Sequence, residues 1–200
     1  MSAAIGFKPR VSVVMGDQTV TGLKQMKILG VRIDCDYSIR SHISDIGRRM
    51  RSKSWALAKL KKAGLSSERL VRAYKGFIRP LAEYASPAWH PLATAEQAAF
   101  LERQQCQALR NIYGFGTSAE KMRQLAEIPP LSRRRLDACL KFAQKNLDNP
   151  RCMGWFKERR RPLYARRLSA SYPKYEEPIA RTDRYRNSPK NFLIRLLNQQ

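Results

Sequence analysis

The 200-residue sequence contains no Asp-Asp dipeptide, no Cys-x-x-Cys pair and only two histidines, and none of its apolar runs approaches the roughly 18 residues needed to span a bilayer. Each absence removes a class of function. Without paired cysteines, or a histidine at zinc-knuckle spacing from one, neither a disulfide framework nor a zinc module is expected, so Cys35, Cys106, Cys139 and Cys152 read as buried free thiols. His42 and His90 stand apart from any nucleophile and base that would complete a triad, which leaves a hydrolase without support. The opening "MSAAIGFKPR" lacks a signal peptide's long apolar stretch, so the expected location is intracellular, nuclear or cytoplasmic, with no membrane partner.

Acidic residues are also scarce. Against 39 Lys and Arg stand 16 Asp and Glu, a net charge of 39 − 16 = +23. A field of that size attracts phosphate polyanions and opposes compaction unless something neutralises it, which makes nucleic acid the leading partner. The remainder is ordinary: 43% hydrophobic residues suffice for one sizeable core or two small ones.

Along the chain, "RVSVVMG", "QTVTG" and "QMKILGVRID" read as three short strands of a small antiparallel piece, whose unpaired edge suggests a sheet continuing outside this chain. From Ser38 to Ala63 the residues Ile39, Ile43, Ile46, Met50, Leu57 and Leu60 recur at helical spacing. They mark the buried face of a helix about 39 Å long, capped by Ser38 or Ser41 and ended by Gly64. A serine cap and Glu68 open the next helix, which runs through Tyr74 and Ile78 to a kink or stop near Pro80. Thr94-x-x-Gln97 and Thr117-x-x-Glu120 are capping boxes for two more helices, the first closed by Gly114, and Ser132 caps a fifth that "DNP" terminates. The tail carries 12 cations and 4 anions over 157–195 and reads as mostly irregular and mobile, with a short helix near "NFLIRLLN". The expected fold is α+β and mainly α: a β-hairpin remnant over 1–36, a helical bundle over 37–150 and a basic, partly disordered tail over 151–200.

Two features carry possible chemistry. Asp34-x-Asp36 lies where a strand gives way to a helix, and two-metal phosphoryl transfer needs carboxylates holding cations about 4 Å apart. An acidic residue just before a helix, however, ordinarily satisfies free N–H groups, so capping and turn formation is the preferred reading of both. The second feature is a stripe on the helix face opposite the apolar one, where Arg48, Arg51, Trp55, Lys59 and Lys62 recur at steps of 3, 4, 4 and 3. Residues 37–75 hold 11 cations and 2 anions, whereas a helix that is merely solvated tends to mix signs for intrahelical pairing. A tryptophan among cations combines phosphate neutralisation with base or sugar stacking, although Trp55 could equally pack on a neighbouring helix.

The blocks "MKILGVRID", "SHI", "FIRPLAEYASPAWHP", "LERQQCQALRNIYG" and "LAEIPPLSRRR", in that order over roughly residues 10–150, resemble the region after the active site in reverse transcriptases of non-LTR (LINE, jockey-like) retrotransposons. The closing "YRNSPKNFLIRLLN" is similar to the end of such reading frames. The resemblance implies that Lys27, Ile28, Leu29 and Gly30 form a primer-grip-like hairpin, that the following helices form a thumb clamping an RNA or DNA template–primer, and that Asp34 and Asp36 are not metal ligands. It also implies that the fingers, the palm aspartates and an endonuclease lie outside this chain. No cofactor is then expected here, Mg2+ belonging with the missing palm, and the chain alone should be inactive as an RNA-directed DNA polymerase. Two alternatives stay open: a stand-alone basic helical RNA- or DNA-binding protein, and a structural or protein-interaction module.

Overall fold

A computed structural model describes residues 12–152, 154–159 and 173–200. The chain is α+β and mainly helical. Four short strands form two separate antiparallel hairpins, β1 (Ser12–Met15) with β2 (Gln18–Thr21) and β3 (Gln25–Ile28) with β4 (Val31–Asp34). The single strand expected over "QMKILGVRID" is therefore two. Leu29 and Gly30 both adopt positive φ, 45° and 89°, the geometry of a tight two-residue hairpin turn, and pair Ile28 with Val31. An alternating apolar pattern alone did not reveal that reversal, because Leu is a poor turn residue and masked the glycine beside it.

Helix α1 (Arg40–Lys62) buries Ile39, Ile43, Ile46, Met50 and Leu57 as expected, whereas Leu60 is exposed near its end. Neither serine caps it. Ile39 occupies the N-cap position without a side-chain bond, and Asp34 instead reaches forward seven residues to accept the Ser41 N–H at 3.2 Å. After Gly64 (φ 87°), Ser66 caps α2 (Ser67–Ala73), which passes into a π turn at Tyr74–Ile78 and then α3 (Arg79–Glu83). Pro80 does not stop the chain. The Arg79 N–H donates to Tyr74 O five residues back, and the widened turn admits a proline that has no N–H to give to the Gly76 carbonyl. Helix α4 (Ser86–Trp89) and a 3-10 turn (His90–Leu92) lead to α5 (Ala95–Tyr113), opened by the complete Thr94–Gln97 capping box and closed at Gly114.

Two other caps differ from expectation. Ser118, rather than Thr117, caps α6 (Ala119–Ala126) by accepting the Lys121 N–H. Helix α7 (Leu131–Lys145) starts at Pro130 with no local cap, since the Glu102 carboxylate on α5 accepts from Leu131 N at 3.2 Å and Ser132 N at 2.6 Å. Sequence windows cannot show a cap delivered from 30 residues away.

The main core gathers α1, α2, α5, α6 and the start of α7 around Trp89, Tyr74, Leu101 and Leu109, with Val31 of β4 closing one end. A second, smaller core docks the end of the tail on the bundle, where mostly irregular and mobile chain was expected apart from the short helix near "NFLIRLLN", which is present. Helix α9 (Pro189–Asn198), preceded by the single turn α8 (Asp183–Arg186), packs Leu193, Ile194 and Leu197 against Cys139 and Ala143 of α7 together with Phe156 and Tyr175. Asn198 fixes this end by accepting from Tyr175 N at 2.8 Å and donating to Tyr175 O at 3.1 Å. Residues 160–172 of that tail lie outside the described residues. Of the four free thiols only Cys139 is fully buried, and burial pushes it up to about 12; Cys35 is exposed. No described helix is long and apolar enough to cross a membrane.

The packing predicts two measurable responses. Glu102→Ala removes both bonds to the α7 N-terminus and should lower unfolding stability by about 2 kcal/mol in urea melts, within the range for a lost cap. His90 lies in an edge-on contact with Phe192 of α9, and burial together with nearby Arg135 lowers its pKa to about 4. The unfolded chain, with a histidine near 6.5, binds the extra proton first. Stability should therefore be fully present above about pH 6.5 and fall as the pH drops toward 4, and His90→Gln should flatten that part of the profile.

Candidate nucleic-acid interface

The cationic stripe of α1 does lie on its outer surface. Arg48, Arg51, Lys59 and Lys62 are exposed, and Trp55 is 62% exposed, so the indole is not a core residue. Lys59 Nζ sits 3.7 Å from the centroid of the Trp55 ring, holding the ammonium against one face of the indole. The stripe is not uniform, however. Arg48 bonds Asp45 at 2.6 Å, and the same carboxylate takes Arg49 at 2.9 Å and Arg32 at 3.9 Å. These arginines hold the Asp45 carboxyl below the usual carboxylate range, with the Arg48 hydrogen bond the largest cause. Arg48 therefore belongs to an ion-pair cluster, and Lys62 is exposed at the last residue of α1.

What the stripe adjoins is a groove of about 950 Å³ between α1 and α5. Arg51, Ser54, Trp55 and Ala58 form one wall, and Arg103, Gln107 and Arg110 stand on the other. Among the described residues no acidic side chain lines it, and none pairs with Arg51, Lys59, Arg103 or Arg110. The floor is tied by Asn111, whose Nδ2 donates to Ser54 O at 2.8 Å, and by Lys61, which donates to Ile112 O. Sequence reasoning missed the α5 wall. Its signal was present, since Arg103, Gln107 and Arg110 recur at steps of 4 and 3 on the face opposite Leu101, Ala108 and Leu109.

The primer-grip-like residues lie elsewhere. Lys27 and Gly30 line a second cleft, of about 350 Å³, on the other flank of α1, while Ile28 and Leu29 project from the hairpin tip, Leu29 being 87% exposed. Tyr84 ties this tip to the bundle: its hydroxyl donates to Leu29 O at 2.9 Å, and its ring lies where a Cβ on Gly30 would crowd it. Arg51 and Trp55 are thus brought together with α5, with Lys59 held against the indole, whereas Lys27, Ile28, Leu29 and Gly30 form a separate locus.

The two aspartates at the end of β4 are engaged in building the turn into α1. Asp34 Oδ2 accepts from Ser38 Oγ at 3.0 Å and from Ser41 N; Asp36 accepts from Ser38 N at 3.0 Å and pairs with Arg40 at 3.0 Å. Asp36 and Asp34 Oδ2 are thus engaged in turn formation and in capping α1. Glu83 is likewise structural, paired through both oxygens with Arg134 and approached by Arg79.

No family model, curated protein or solved structure matches the chain. The geometry nevertheless makes a direct statement about Asp34: its replacement by Ala should cost about 1 kcal/mol of stability through loss of the α1 cap, read by thermal melts, with nucleic-acid affinity unchanged.

Proposed function

We propose that the chain binds nucleic acid along the α1–α5 groove, as the thumb-like part of a non-LTR retrotransposon reverse transcriptase that grips template–primer, the metal-dependent chemistry belonging to palm motifs outside this chain. The observation that carries the binding role is the groove itself. Arg51, Arg103 and Arg110 face a common channel without an acid among them, and Trp55 with Lys59 stands at its edge. In a protein with 16 acidic residues, a solvated helix surface would be expected to use some of them to balance such a channel. Unbalanced guanidinium groups with an exposed indole are suited to phosphate oxygens and to stacking on a sugar or base.

The assignment to reverse transcription adds the resemblance. Its block "LERQQCQALRNIYG" supplies the α5 wall of the groove, and "FIRPLAEYASPAWHP" supplies the end of the π turn, α3 and α4, with Tyr84 holding the β3–β4 hairpin. The same groove would serve a stand-alone nucleic-acid-binding protein. That reading is favoured by the second core, which joins the tail to α7.

Replacing Arg51, Lys59, Arg103 and Arg110 together with Gln should reduce the slope of log affinity against log salt for a template–primer duplex by about 3 to 4, at roughly 0.7–0.9 per phosphate contact. The melting temperature should hardly change, because the exposed side chains contribute little to stability. Trp55→Ala should weaken binding of a single-stranded ligand by about 1–3 kcal/mol with the fold intact. An unchanged salt slope in the quadruple variant would remove the groove from the binding site.

A further inference from the structure

The cleft on the other flank of α1 has a construction of its own. Its floor is the π turn. Because the Arg79 N–H bonds five residues back and Pro80 has no N–H, the turn widens at Gly76, where the missing side chain leaves open space. The same widening turns Phe77 outward, 67% exposed, and Tyr84 stands at the edge of the cleft with its hydroxyl on Leu29 O. Three cations line the space: Lys27 from β3, and Arg49 and Lys53 from α1. Lys53 Nζ donates to Phe77 O at 3.1 Å and lies 6.0 Å from the ring centroid, so this ammonium is already positioned at the cleft wall. Asp45 engages Arg49 at 2.9 Å as it engages Arg48, whereas among the described residues no acid pairs with Lys27 or Lys53, which carry the unbalanced charge of the cleft.

One buried group is left over. His42 is 1% exposed and lines the cleft, its Nδ1 accepts from Arg32 N at 3.4 Å, and its Nε2 has no partner among the described residues. A neutral ring that accepts at Nδ1 carries its proton on Nε2, and that nitrogen is buried where the ring meets Trp89 edge-on at 5.4 Å, so His42 serves as packed wall rather than as a contact to a ligand.

We propose that this cleft binds a single unpaired nucleotide, its phosphate at Lys27 and Lys53 and its base against Phe77 and Tyr84. The volume of about 350 Å³ suits one nucleotide rather than a duplex. Two exposed aromatic rings beside cations favour a stacked base over an acidic peptide, which would use the cations and leave the rings idle. The site lies apart from the α1–α5 groove and its occupancy does not depend on that groove being correct.

The test uses the full chain and a hexathymidylate carrying one 5-iododeoxyuridine, irradiated and mapped by peptide mass spectrometry. The expected adduct is on Phe77 or Tyr84. It should fall about tenfold in Gly76→Leu, whose added side chain enters the open space, and about tenfold at Tyr84 in Phe77→Ala, which alters only an exposed ring should Gly76→Leu fail to fold. Arg103→Gln with Arg110→Gln should leave the adduct unchanged while weakening duplex binding. Loss of duplex binding in the wild type with the adduct present would overturn the groove and leave the cleft standing. No adduct on Phe77 or Tyr84, or one that persists undiminished in the folded variants, overturns the cleft.

Discussion

The packing of α1 along α5 is the contact on which the rest of the molecule depends. Gly47 of α1 lets the Phe100 ring lie directly against the helix backbone, Ser54 O receives Asn111, and Lys61 reaches Ile112 O. Residue numbers rise together on both sides of this seam, so the two longest helices run in the same direction. Parallel neighbours cannot be joined by a short loop. The 32 residues 63–94 make the return, and they are the segment that folds into α2, the π turn, α3 and α4. The core, the hairpin anchor at Tyr84 and both clefts follow from that one requirement.

With one face of α1 buried, its two remaining flanks are each left beside a neighbouring element. The flank toward α5 carries Arg51 and Trp55, and the flank toward the π turn carries Arg49 and Lys53. Four of the scarce acids hold elements of the structure together. Glu102 caps α7, Glu83 holds Arg134, Asp34 starts α1 and Asp45 collects three arginines. Even the buried Arg135 is placed over the Trp89 ring, 5.6 Å from its centroid, rather than opposite a carboxylate of its own. An excess of cations thus remains on the surface, concentrated where helices meet.

Much of this was legible in the residues. The apolar spacing of α1, the Thr94–Gln97 box and the Gly114 stop are local patterns, and local patterns fix helices because the interactions that make them lie within a few residues. The cationic stripe was legible for the same reason. What sequence spacing could not supply were relations across long separations: Glu102 capping α7, α9 completing a second core with Cys139, and Arg103 and Arg110 arriving opposite Arg51. The Leu29–Gly30 reversal was hidden from the apolar pattern, though implied by the resemblance, since a leucine at positive φ contradicts its own propensity and is held by the hairpin pairing and by Tyr84. Arg48 shows the converse case, a residue whose stripe position is right and whose charge is engaged by Asp45.

The central claim is that nucleic acid lies in the α1–α5 groove, and arginine-specific dicarbonyl footprinting of the protein with and without a template–primer duplex tests it most directly. Bound duplex should protect Arg51, Arg103 and Arg110 together while Arg72, paired with Glu68 on α2, keeps its reactivity. Unchanged reactivity of Arg51, Arg103 and Arg110, with protection of tail arginines such as Arg184 and Arg186 instead, would contradict the account and move the binding surface off the groove.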